Sequence, residues 1–180
     1  MENHQPLILR LSDKRSKGAY SHIFVAPGTN RAYKLFLNQV SNLTDTAKRN
    51  EEKRQSTFED EVKAYKLASS TPELKAHVPE FFGQQTVSDV LDKDGNSIAR
   101  NYVLHRCYSM EWVDGPNGKL IEEKYKYPYL EALEKRFQNA GISYTLDAHV
   151  INPQDEKNAV LIDFGTCAFE QEHEELPFNF

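Results

Sequence analysis

Cysteine is scarce in this sequence: Cys107 and Cys167 are the only two in 180 residues. Two thiols cannot build a disulfide framework in a chain this size, and their spacing fits no zinc site. No cluster of Lys, Arg and His marks either as reactive, so both read as small buried hydrophobes kept reduced in a cytosolic environment. Long apolar runs are missing as well. No stretch approaches the roughly 20 residues that cross a bilayer, and a secretory leader needs an apolar core of about 7–15 residues. The amino-terminal MENHQPLILRLSDK offers only a four-residue apolar stretch. Neither a membrane span nor standard export is expected. Excess positive charge is absent too: 22 Lys+Arg stand against 27 Asp+Glu, a net charge of −5, so net charge gives no draw toward nucleic acid. Internal repeats and low-complexity blocks are lacking.

What is present suits one folded domain. Hydrophobic residues make up 39% of the chain and aromatics 11%, with ten Phe and nine Tyr, enough bulk for a sizeable core at this length. Residues 7–11 and 22–26 read as strands around a polar stretch containing Gly18, and a turn at 27–30 leads into a third strand over 31–37. These three predict an antiparallel beginning. Residues 41–57 are polar and run into a helical stretch over 58–68, where Phe58, Val62 and Tyr65 recur at helical spacing. Two strands, 80–91 and 99–113, then flank a tip at Asp92-Lys93-Asp94-Gly95-Asn96. Its alternating acids invite a calcium reading, but the glycine stands fourth rather than sixth and no Glu closes a loop of about 12 residues; a plain turn is expected.

Asp114-Gly115-Pro116-Asn117-Gly118 is the strongest break and divides 1–113 from 114–180. A helix starting at Pro128 follows, with Tyr129, Leu130, Leu133 and Phe137 on one face and Gly141 as its stop. Residues 150–151 and 159–162 predict a short hairpin, and 171–175 an acidic surface tail.

The residues suited to chemistry lie in a definite order. Val160-Leu161-Ile162-Asp163-Phe164-Gly165 is an apolar strand delivering a carboxylate into a turn, where it would serve a metal-bound phosphate: Mg²⁺ takes oxygen ligands, with one or two from carboxylates. Upstream come Gly18 between two strands, Lys34 inside the third, Glu61 on the helix, and Glu111 at a strand end. Lys34 and Glu61 would each, in isolation, be ordinary solvated charges, and Glu111 to Val113 simply a strand end.

Taken together, this order of strand, turn, strand, Lys-strand, Glu-helix and Asp-Phe-Gly resembles the protein kinase superfamily. The resemblance implies an α+β fold: an antiparallel-sheet N-lobe with one helix over 1–113 and a strongly truncated C-lobe over 114–180. Only 15 residues follow Gly165, which leaves no room for an activation segment, so switching by loop phosphorylation is not expected. The resemblance further implies that Lys34 binds the α- and β-phosphates of ATP, that Glu61 holds Lys34, and that Gly18 lets backbone close over the phosphates. Glu111 and Val113 would be the hinge that bonds adenine, and Asp163 would hold Mg²⁺.

The catalytic loop departs from the family pattern, with Thr145 and Leu146 in place of His and Arg. One register makes Asp147 the base and Asn152 a second metal ligand. The other puts Tyr144 in the base position and His149 in the metal position, with Val150-Ile151 as the strand that follows.

Minimal cores of this kind are similar to the type III secreted effector kinases of bacteria, whose delivery through a needle apparatus needs no cleavable leader. The likeness in size and layout points to a monomeric Ser/Thr kinase acting in the host cytoplasm. Its implied substrate is a host protein, the ninety-kilodalton heat-shock chaperone. A kinase-shaped module that docks a partner without turnover is the alternative, and a small-molecule kinase and an unrelated α+β domain are the remaining ones.

Overall fold

The computed structural model describes residues 6–18, 20–38, 45–143, 148–165 and 168–169, with the side chains of 45–50 and 168 outside that set. Asp147 and its alternative Tyr144, with Thr145 and Leu146, lie outside the described residues, as do Cys167 and the acidic stretch 171–175. The chain is mixed α+β. In order it forms β1 (Ile8–Arg10), β2 (Lys14–Lys17), β3 (Ser21–Val25), β4 (Arg31–Leu37), α1 (Asp45–Ser70), β5 (Phe81–Gln85), β6 (Asp89–Leu91) and β7 (Tyr102–Glu111). There follow β8 (Asn117–Lys119), α2 (Leu120–Glu123), α3 (Pro128–Asn139), β9 (Ile142–Ser143), β10 (His149–Ile151), β11 (Val160–Ile162) and β12 (Ala168–Phe169).

The main sheet has five antiparallel strands in the order β2-β3-β4-β7-β5. Its centre is β4, where residues 32–36 are all buried. Alternate side chains of a strand point to opposite faces, and here both faces are covered. Ala32 and Phe36 join the core that α1 packs into, while Tyr33 and Leu35 join a second cluster with Leu9, Phe24, Val90 and Cys107. Lys34 shares the α1 face with Ala32 and Phe36, so the register sets a cation among apolar neighbours.

Three elements differ from the sequence expectation. The expected first strand is not in the main sheet: β1 pairs in parallel with β6, Leu9 opposite Val90, because burying Leu9 requires the second cluster. Its place is taken by β2, a polar Lys-Arg-Ser-Lys segment, which at a sheet edge needs a backbone partner but no apolar face. The expected strand over 80–91 is two strands in two sheets. Helix α1 runs 26 residues, well beyond 58–68; its first half is rich in Lys, Arg, Glu and Gln, good helix formers that show no apolar period. The tip at 92–96 is a turn closed by the Asp92 carboxylate, which accepts the N–H groups of Asp94 (2.9 Å) and Asn96 (2.8 Å).

A smaller antiparallel sheet, β11-β10-β8, begins inside the glycine-rich break. Pro128 starts α3, whose Leu130, Leu133 and Phe137 are fully buried. Phe164 joins the parts: its ring lies edge-on to Tyr65 of α1 at 4.8 Å and 6.1 Å from Phe137 of α3. His77, just after α1, adds a polar tie, its Nδ1 2.9 Å from the Ala159 carbonyl oxygen. Among the described residues no helix is long and apolar enough to cross a membrane.

Because Phe164 fills the junction of α1 and α3 with no exposure, Phe164→Ala is expected to cost about 3–5 kcal/mol of stability. Chemical denaturation measures this, and a loss under about 1 kcal/mol would contradict the packing described.

Candidate functional site

On α1 the buried positions Arg54, Thr57, Phe58, Glu61, Val62, Tyr65 and Ala68 recur every three or four residues, one stripe of the helix turned to the sheet. Glu61 lies within that stripe and is 1% exposed, whereas Glu59 is exposed. A carboxylate buried this deeply requires partners, and the sheet supplies two. Lys34 Nζ donates to Glu61 Oε1 at 2.6 Å, and the Tyr108 hydroxyl donates to Oε2 at 2.5 Å. Lys34 and Tyr108 stand directly opposite each other on β4 and β7, so one rung of the ladder aims both donors at one carboxylate.

The third member arrives from the end of β11. Asp163 adopts φ +69°, a left-handed conformation that Asp and Asn tolerate better than other side chains. Its Oδ1 accepts from Lys34 Nζ at 3.2 Å, and its Oδ2 lies 3.9 Å from His149 Nδ1. Gly165 then passes so close beneath α1 that a Cβ there would stand 2.7 Å from Glu61 Oε1 and 3.2 Å from the Thr57 methyl. A glycine at this position is a steric requirement of the Lys34–Glu61 pair.

The electrostatics follow from this packing. Burial alone would lower the Lys34 pKa, but Glu61 and then Asp163 outweigh it and hold the ammonium above its usual range. Burial pushes the Glu61 carboxyl up, with Lys34 and the Tyr108 hydrogen bond opposing it. Burial also opposes ionisation of Asp163, yet Lys34, His149 and the Gly165 N–H hold its carboxyl below the usual carboxylate value. The side chain of Asp163 remains 44% exposed, so a charged carboxylate faces open space beside a protected ammonium.

That space is a cleft of about 510 Å³, and its walls include Gly18, Lys34, Glu61, Val113, His149 and Asp163. Ile23, Met110, Trp112, Ile151 and Ile162 add apolar surface. Of the residues singled out in the sequence, Gly18, Lys34, Glu61, Val113 and Asp163 therefore come together. A Cβ at Gly18 would meet nothing closer than 3.5 Å, so the protein's own packing does not demand glycine there.

Glu111 and Asn152 are not among them. Both line a neighbouring polar hollow of about 950 Å³, which Val113 also borders. The Glu111 side chain accepts from Asn30 Nδ2 at 3.0 Å, and its backbone N–H donates to the Glu80 carbonyl at 2.8 Å. Asn152 occupies the turn after β10 at φ +54°. Its side chain presses on Gly115, and its N–H donates to the Pro116 carbonyl at 2.7 Å, so it fixes the inter-sheet loop instead of reaching Asp163. His149, paired with Ile162 across the β10–β11 ladder, stands there in its place. The second of the two registers puts His149 in this position, while the base positions of both registers lie outside the described residues. Tyr108 escaped the sequence reading because its role needs the β4–β7 register, which no local pattern carries.

Among the described residues no group of three or more His, Cys, Asp or Glu gathers into a metal shell. A Mg²⁺ that keeps phosphate and water ligands needs only one or two carboxylates, and the partly exposed Asp163 side chain fits that demand. Neither family models nor curated proteins give a match to this sequence.

Two outcomes are expected. Gly165→Ala drives a methyl into Glu61 and loosens the Lys34 pair; denaturation should record a loss of about 1–3 kcal/mol, and an unchanged midpoint would refute the close approach. Asp163, with its folded pKa depressed, adds stability above its unfolded value of about 3.9 and loses it as pH falls through the folded value. The stability gap between wild type and Asp163→Asn should hold from neutrality to about pH 4 and close below it, as urea midpoints across pH would register; a gap independent of pH would contradict this.

Proposed function

We propose that the cleft binds Mg-ATP and that the chain transfers the γ-phosphoryl group to a Ser or Thr hydroxyl of a protein. The observation that carries this reading is the convergence of Lys34, Glu61 and Asp163 from a strand, a helix and a strand end on one cleft wall. A fixed ammonium beside an exposed carboxylate is the pairing a polyphosphate with its metal requires: one group for phosphate oxygens, one for the cation. Mg²⁺, when bound, supplies neutralisation of phosphate charge, and Asp163 is the residue that would hold it.

The remaining roles follow from position. Glu61 and Tyr108 lock Lys34 so that no ordering is required when phosphate arrives. The apolar walls and the Val113 backbone suit a flat base, and Gly18 leaves room for backbone to approach the phosphates. In the transfer itself the acceptor oxygen bonds to phosphorus, the bond from phosphorus to the ADP oxygen breaks, and the hydroxyl proton passes to a base. We assign that base to Asp147. A kinase-shaped docking module without turnover is the second reading, favoured by Asn152 standing away from Asp163.

Labelled γ-phosphate from Mg-ATP should enter a protein of a eukaryotic lysate with wild type and not with Asp163→Asn, which keeps the side-chain size and tolerates the left-handed backbone. The ninety-kilodalton chaperone, added purified, is the first individual substrate to try. Nucleotide binding without transfer would support the docking module, and absence of nucleotide binding would refute the phosphotransfer reading.

A further inference from the structure

Strand β2 carries Lys14, Arg15 and Lys17 in four residues, and it forms one edge of the five-stranded sheet. Among the described residues none of these three cations has a carboxylate partner. In a chain of net charge −5, this is an uncompensated positive strip. Its pairing with β3 slips between Lys14 and Ser16, the mark of a bulge, and bulges re-aim side chains. Here the result is a split. Arg15 and Ser16 line the mouth of the cleft, while Lys14 and Lys17 stand opposite Phe24 and His22. The positive field on that side is felt by His22, whose pKa is lowered by burial and then by Lys14 and Lys17.

An occupant of this edge must match two features at once. The outer edge of β2 has no strand partner among the described residues, which suits an extended backbone that adds as a further strand. The side chains of such a strand alternate between faces, and each face here offers cations. Because the edge borders the cleft, a strand lying along it brings its own hydroxyls past the mouth. Nucleic acid fits less well: it has no peptide ladder to pair, and the exposed large hydrophobics of the described chain, Ile8 and Tyr125, give this strip no aromatic stacking platform.

We propose that β2 is the substrate-docking edge and that it selects an extended acidic segment of the protein substrate. This rests on the phosphotransfer reading for its purpose, while the docking is measurable without turnover. Lysines on an exposed edge also discourage sheet-to-sheet aggregation, and that bland role predicts no ligand preference.

The test is fluorescence anisotropy of the full chain with three labelled probes: a Ser-containing glutamate-rich peptide, its glutamine counterpart, and a single-stranded RNA of equal charge. Wild type should bind the glutamate peptide at least tenfold tighter than the glutamine one, with the margin shrinking as salt rises. Lys14→Gln with Lys17→Gln should remove most of that margin, and Arg15→Gln, tested separately, should reduce it. Equal affinity for the two peptides, a margin that survives the double substitution, or tighter binding of the RNA would each overturn the proposal. Supplying Mg-ATP to the same mixtures separates the two readings. Preferred binding with no transfer to any serine keeps the docking edge and sinks the phosphotransfer reading, and transfer that ignores the glutamates does the reverse.

Discussion

The buried pair of Lys34 and Glu61 is the interaction on which the rest of the structure depends. Taking two charges out of water is costly, and the attraction between them offsets that cost only when geometry is tight and the remaining oxygens are satisfied. Here every element near the pair serves that condition. The β4–β7 register puts Tyr108 beside Lys34 to bond the second Glu61 oxygen. Gly165 clears the space beside the first oxygen, and Asp163 adds a second carboxylate to the same ammonium. Removing any one of these leaves a buried charge poorly paired, so the pair ties strand, helix and Asp-Phe-Gly turn into one arrangement.

The same pair explains why the cleft is a candidate for phosphate chemistry. Lys34 is 7% exposed and cannot roam as a surface lysine does; its ammonium is fixed in place before any ligand arrives. Preorganised charge of this kind acts without reorganisation during reaction. Phe164 links the arrangement to α3 through its contacts with Tyr65 and Phe137, so the position of the Asp163 carboxylate is coupled to the packing of both parts of the chain. The Tyr108 clamp on Glu61 gives α1 no polar freedom at this point. The helix is held in the paired position by a neutral donor within the sheet itself.

How much of this was legible in the sequence depends on range. Local signals carried well: the apolar period of 58–68 located the buried face of α1, Pro128 and Gly141 bounded α3, and the apolar run before Asp163 gave β11. The convergence of Lys34, Glu61 and Asp163 was legible only through the order of elements along the chain, since each alone is an ordinary charge. What escaped depends on register and on sheet membership. A polar edge such as β2 has no apolar signature, the exit of β1 to pair with β6 is a long-range choice made for Leu9, and the polar first half of α1 hides its helix in propensity. Asn152 was set by spacing in the catalytic loop and Glu111 by its place at a strand end; neither signal carries the ladder that fixes His149 opposite Ile162 beside Asp163.

In the proposed phosphotransfer, Glu61 acts by holding Lys34 for a polyphosphate. The most direct test of that role is a double-mutant cycle on Mg-ATP affinity by calorimetry, with Lys34→Met, Glu61→Gln and both together, each checked for folding by circular dichroism. Glu61→Gln is expected to weaken binding about tenfold or more in the wild-type background and to change little once Lys34 is gone, a coupling of at least about 1.4 kcal/mol. Additive losses, or unchanged affinity in Lys34→Met, would contradict it.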